Sequence, residues 1–178
     1  MCLNSKKIEF DDVIDIMREK LNNGGTITFT PKGTSMEPML RDGKDIVVLA
    51  KPKGRLNMLD VALYRRDDGA YIMHRVIDVD DKGCYVFCGD NQFAKEKGIR
   101  EDQIIGIMTC FIRKGTTYYA DSILYKLYSN YIYRTRLSRR GYKAGKRKVV
   151  KLFGLDKKKS NGDINGDGNG DVASKSGR

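Results

Sequence analysis

"AYIMHRVIDVDDKGCYVFCGD", residues 70–90, decides how this chain is read. From Tyr71 to Val79 the side chains alternate in the manner of a half-buried strand. Asp81, Lys82 and Gly83 form a turn signal. "CYVFC" then resumes with β-branched and aromatic residues. The stretch predicts strand, turn, strand. The same texture extends in both directions. Upstream lie "TITFTPKG" (26–33), "DIVVLAKP" (45–52) and "DVALYRR" (60–66), the last followed by the turn signal "DDG". Downstream lies "IIGIMTCFIRKG" (104–115). About six or seven short strands at this spacing predict a mainly β domain over 26–115, small and barrel-like.

Helical patterns flank it. In "EFDDVIDIMREKLN" (9–22), Phe10, Val13, Ile14, Ile16, Met17 and Leu21 recur at helical spacing, and "NNGG" stops the run. Residues 118–153 interleave tyrosines and leucines with bases. There Ile123, Leu124, Leu127, Tyr128 and Tyr131 are expected to pack on the β domain. The chain thus divides into an N-terminal helix (1–25), the β domain (26–115), a basic helical extension (116–156) and a disordered tail (157–178).

Charge is distributed unevenly. Residues 113–159 hold fifteen Lys/Arg against two Asp/Glu, a net +13, whereas the whole chain carries +11. A local basic block of this kind implies an anionic partner. Tyrosines among the bases suit a lipid headgroup layer or stacked bases. Residues 134–151 have no apolar stripe and are expected to touch an anionic membrane peripherally; nucleic acid is not expected. No segment approaches the ~18 apolar residues of a membrane span, and the start lacks a signal-peptide core. A cytoplasmic location is expected, at most peripheral to a membrane.

Cys2, Cys84, Cys88 and Cys110 form no C-x-x-C pair, and only one histidine exists to complete a zinc site. All four read as reduced thiols, and no metal or cofactor is expected. In the tail, Asp163, Asn165, Asp167, Gly168 and Asp171 imitate a calcium loop. Ser174 stands where that loop needs a bidentate acid, which argues against a tight site.

Chemistry concentrates in "GTSMEPMLRDGKDIVV", residues 33–48. Ser35 sits in a turn tightened by Gly33 and Pro38. A serine hydroxyl attacks only when a base takes its proton. The chain offers one imidazole for that work, His74, whose ordinary pKa of about 6.5 suits neutral pH. Ile72 and Val76 share its strand face; Met73 and Arg75 lie on the other.

Three blocks in order carry a resemblance: "GTSMEPMLRDGKDIVV" with Ser35; "NMLDVALYRR" followed by "YIMHRVI" with His74; and "CGDNQF" followed by "IIGIM". Together they span residues 33–108. They resemble the signal peptidase superfamily of serine proteases, which includes the self-cleaving SOS-type repressors. Most members place lysine where His74 falls. "MHRV" is similar to the endoplasmic-reticulum-type branch, which places histidine there.

The resemblance implies a small signal-peptidase-like β domain and a serine endopeptidase acting on a leader or signal-like peptide. Ser35 is then the nucleophile and His74 the general base. Asp90 in "GDN" would orient the imidazole, with Glu96, next to Lys95, as the alternative acid. The family's hydroxyl donor two positions before the nucleophile is replaced by Gly33. The oxyanion would then rest on the Ser35 N–H and the Thr34 hydroxyl, with Met36 beside them at the substrate. The absence of an anchor is similar to small soluble members that trim leader peptides. A competing expectation is a non-catalytic binding module on the same fold, using the basic segment on membrane or nucleic acid. A self-cleaving repressor is not expected, because the 34 residues before Ser35 leave no room for a DNA-binding domain.

Overall fold

The longest strand organises the molecule. The computed structural model describes residues 10–136 and Ser138. The chain separates into two units, 1–141 and 142–178, and the second lies wholly outside the described residues. So do the calcium-like loop, the tail, Cys2 and nearly all of 134–151. Helix α1 (Phe10–Asn22) leads into strands β1 (Ile27–Phe29), β2 (Ile46–Ala50), β3 (Val61–Arg65), β4 (Tyr71–Val79), β5 (Tyr85–Cys88) and β6 (Glu96–Ile99). After a single 3-10 turn come β7 (Ile104–Arg113), β8 (Thr116–Tyr119) and helix α2 (Ile123–Arg134). All pairings are antiparallel, in the order β1-β2-β7-β3-β4-β5-β6. β7 takes β2 on one edge; its other edge is shared by β3 and, farther along, β8.

The sheet is open, which corrects the expected barrel. Closure requires the edge strands to meet. Here β1 pairs only with β2, and β6 only with β5. β1, three residues long, and β6, four, remain its two edges.

Period-two alternation sorts side chains onto two cores. On β3, Val61 and Leu63 join one cluster while Ala62 and Tyr64 join the other. The first cluster collects Leu49, Met73 and Met108 from the sheet, Ile14 and Leu21 from α1, and Met36, Met39 and Leu40 from the Ser35 segment. Each fully buried aliphatic side chain of this kind stabilises the fold by about 1.5–3 kcal/mol. The second gathers Tyr64, Val76, Tyr85, Phe87 and Ile99. Tyr64 and Phe87 stack at 4.4 Å between centroids, a geometry worth about 0.5–1.5 kcal/mol beyond area burial. α1 ends where Gly24, at φ 76°, turns back and donates to Leu21.

Two elements differ from the sequence expectation. Residues 116–119, read as part of the helical extension, form β8, because Lys114 and Gly115, both at positive φ, turn the chain back along β7. α2 begins only after Ser122, whose hydroxyl accepts from the Tyr125 N–H. α2 also presents a different face than expected. Tyr128 is partly buried against the core, but Ile123, Leu124, Leu127 and Tyr131 point outward. The buried residues are Tyr125, Ser129 and Ile132. The reason is Arg75, 1% exposed on β4, whose guanidinium donates to the Tyr125 hydroxyl (3.1 Å) and the Ser129 hydroxyl (2.8 Å). A buried cation must satisfy its donors, and that need selected the helix face.

No helix among the described residues is long and apolar enough to cross a membrane. Cys84, Cys88 and Cys110 are free thiols.

Candidate active site

Residues 33–39 leave β1 and make a tight turn in place of a strand. Gly33, at φ 100°, donates its N–H to Asp42 at 2.7 Å. The Leu40 N–H returns to the Met36 carbonyl. Met36 and Leu40 anchor the turn in the first core. Ser35, half-buried, is left facing a cleft of about 180 Å3. One wall of the cleft is Pro31, Lys32, Gly33, Ser35 and Met36; the facing wall is Tyr71, Ile72, Met73 and His74 on β4.

The loop after β5 holds the Ser35 turn in place. Asn91 donates its backbone N–H to the Ser35 carbonyl (2.8 Å) and its side-chain amide to the Thr34 carbonyl (3.1 Å). This is the structural use of "GDN". Its glycine matters as well. Arg75 pairs with Cys88 across β4 and β5, so the next register position sets Gly89 beside His74. A Cβ built on Gly89 would lie 3.1 Å from His74 Nε2, 3.1 Å from Ser35 Cβ and 2.6 Å from the Ser35 carbonyl oxygen. The serine side chain and the imidazole nitrogen therefore flank one point, separated by at most twice 3.1 Å. Glycine is needed here for close approach, since only a residue without Cβ leaves that gap open.

The far side of the imidazole faces an acid. His74 Nδ1 stands 3.1 Å from Glu96 Oε1. Tyr64 donates its hydroxyl to Glu96 Oε2 at 2.8 Å, and its oxygen is 3.4 Å from Nδ1. Arg66 completes the cluster, with Nε 2.8 Å from Oε2 and a terminal nitrogen 2.6 Å from Oε1. Burial opposes the charge on Glu96, but hydrogen bonds from Arg66 and Tyr64 outweigh it and hold the carboxyl below its ordinary range. Burial, then the nearby Glu96, push the Tyr64 hydroxyl up, so it stays a donor. Burial also lowers the His74 pKa; Glu96 raises it, Arg66 lowers it, and the net is downward. With a carboxylate on Nδ1, we assign the proton to Nδ1, which leaves the Nε2 lone pair as the acceptor on the Gly89 side.

Asp90 is elsewhere. Its carboxylate forms a two-pronged pair with Arg75, 2.7 Å to Nε and 2.8 Å to a terminal nitrogen, on the other side of β4. Burial works against the Arg75 charge, but Asp90 outweighs it and raises the Arg75 pKa. The structure therefore brings Ser35, His74 and Glu96 together and sets Asp90 to neutralising Arg75. Alternation on β4 explains this: His74 and Arg75 point to opposite faces, so each takes its own acid. Thr34 is exposed and is not part of the cleft wall, whereas Met36 is.

No protein-family model matches the chain, and comparison with curated proteins returns no match. The site stands on its geometry.

Sequence reasoning passed over Tyr64, Arg66 and Gly89. The double arginine of "YRR" followed by a lone acid in a polar stretch was the available signal for Arg66 and Glu96. Strand order alone turns those two positions into neighbours.

Proposed function

We propose that the protein is a serine endopeptidase of the signal peptidase type, cleaving a leader or signal-like peptide. Ser35 is the nucleophile and His74 the general base. The observation that carries this reading is the close approach at Gly89, where Ser35 Cβ and His74 Nε2 each lie 3.1 Å from the Cβ position, with Glu96 3.1 Å from Nδ1.

Chemistry follows from that arrangement. Nε2 takes the Ser35 hydroxyl proton as Oγ bonds to the scissile carbonyl carbon. The imidazolium that forms is stabilised by Glu96, which keeps its own charge. The same proton then passes to the leaving amine as the C–N bond breaks. Water, deprotonated by Nε2, attacks the acyl-serine; the C–Oγ bond then breaks, Nε2 returns that proton to Ser35 Oγ and the new carboxyl end leaves. Oxyanion stabilisation falls to backbone N–H groups of the turn, since Thr34 lies off the cleft wall; preorganised donors of this kind supply much of an acyl-transfer rate.

Substrate placement uses the sheet. β4 pairs with β3 from Tyr71 onward, but β5 joins its other edge only at Arg75. Among the described residues, no strand pairs with that edge at Ile72 and Met73, just before the Gly89 position beside His74. An extended peptide laid there adds one strand and brings its carbonyl to Ser35.

The test is cleavage of a peptide library by the wild-type chain and by Ser35→Ala. Loss of cleavage in the variant, with product ends mapped by mass spectrometry, supports the reading; equal cleavage overturns it.

A further inference from the structure

α2 is apolar on two sides, and only one of them is used by the fold. Ile123 and Leu124 are each 76% exposed, Leu127 63% and Tyr131 62%. At 3.6 residues per turn these four share one side of the helix, opposite the buried Tyr125, Ser129 and Ile132. The surface continues onto β8 at the exposed Tyr118. A groove of about 380 Å3, lined by both Tyr118 and Leu124, joins the two elements. Tyr118, Ile123, Leu124, Leu127 and Tyr131 are five of the eleven exposed large hydrophobic side chains among the described residues. This is one patch, and single scattered apolar side chains would need no explanation.

Charge says what covers it. Lys126 and Arg134 lie on the same helix, and the sequence from 113 to 159 carries fifteen Lys/Arg against two Asp/Glu. A second copy of the chain would bring two such cationic segments together. Nucleic acid would answer the charge but leave exposed leucine and isoleucine without a partner. An anionic bilayer answers both: aliphatic side chains enter the acyl boundary, tyrosines sit at headgroup level and cations meet the phosphates.

We propose that the Ile123–Leu124–Leu127–Tyr131 face of α2, with Tyr118, lies in the surface of an anionic lipid bilayer. This inference rests on exposure and charge, and is independent of the chemistry at Ser35.

The full chain is sedimented with vesicles of phosphatidylcholine alone or mixed with phosphatidylglycerol, at low and high salt. The wild type and Ser35→Ala sediment with the anionic vesicles, less so at high salt. The double variant Leu124→Glu, Leu127→Glu, whose positions are exposed and whose fold is checked by circular dichroism, binds them roughly tenfold more weakly. A wild type that stays in the supernatant overturns the proposal. So does a double variant that binds as well as wild type, because cations alone would then account for binding. Sedimentation velocity without lipid supplies the last arm: a wild-type dimer that the double variant dissociates assigns the face to a second copy and also overturns it.

Discussion

His74 Nδ1 lies 3.1 Å from Glu96 Oε1, and this contact pairs the imidazole with Glu96 in place of Asp90. Asp90 occupies the more suggestive position in sequence, directly after the glycine that touches His74. Yet its carboxylate is spent on Arg75, one residue along β4 and on the opposite face. Two acids, two cationic or protonatable partners and one strand between them make separable experimental signatures.

Glu96→Gln should impair turnover more than folding. The amide cannot stabilise an imidazolium and does not select the same imidazole tautomer. The proposed peptidase should lose about a hundredfold or more in kcat. Steady-state cleavage measures the first effect. A thermal melt should stay close to wild type, since Gln can still accept from Tyr64 and Arg66.

Asp90→Ala should act chiefly on stability. It leaves the Arg75 guanidinium buried without its counter-charge, which costs about 3–5 kcal/mol. Urea unfolding reads the loss as a lower midpoint. Adding Arg75→Met should recover part of it, because the uncompensated charge is then gone. A variant as stable as wild type would contradict the pairing.

Gly89→Ala should disable cleavage while leaving binding of peptide largely intact. The added methyl meets the Ser35 carbonyl and fills the space between Ser35 Cβ and Nε2. Displacing reacting groups by even ~1 Å can cost on the order of a hundredfold. The expected result is a fall in kcat exceeding any rise in KM, measured on one peptide.

Activity should persist to lower pH than an ordinary histidine allows. The imidazole must be neutral to accept the serine proton, and burial, with Arg66 beside it, lowers its pKa. The acid limb of kcat/KM should therefore lie below about 6.5, the ordinary histidine value. Arg66→Gln removes one of the lowering influences, so the limb should move toward higher pH. The pH profiles of the two proteins, compared on the same substrate, check both directions.

Much of the architecture could be read from the chain. Six strands fall within the segments that alternation marked out, and α1 ends at its glycines. The elements that escaped notice have weak patterns of their own. β6, "EKGI", is polar, contains Gly98 at φ 77°, and is a strand only because Phe87 and Tyr85 on β5 pair with it. β8 was hidden in a tyrosine-rich run whose helical spacing continues into α2. The exposed stripe of α2 has the better hydrophobic spacing, but the donors of buried Arg75 claimed the other side.

By itself the sequence determined six of the eight strands, the turn that holds Ser35 and the presence of a single imidazole, because period-two patterning and turn chemistry are properties of adjacent residues. Only the tertiary structure decided that the sheet stays open, that Glu96 backs His74 while Asp90 neutralises Arg75, and which side of α2 meets solvent. These outcomes depend on distances between strands far apart in the chain, and on where buried charges find partners. No local pattern encodes either.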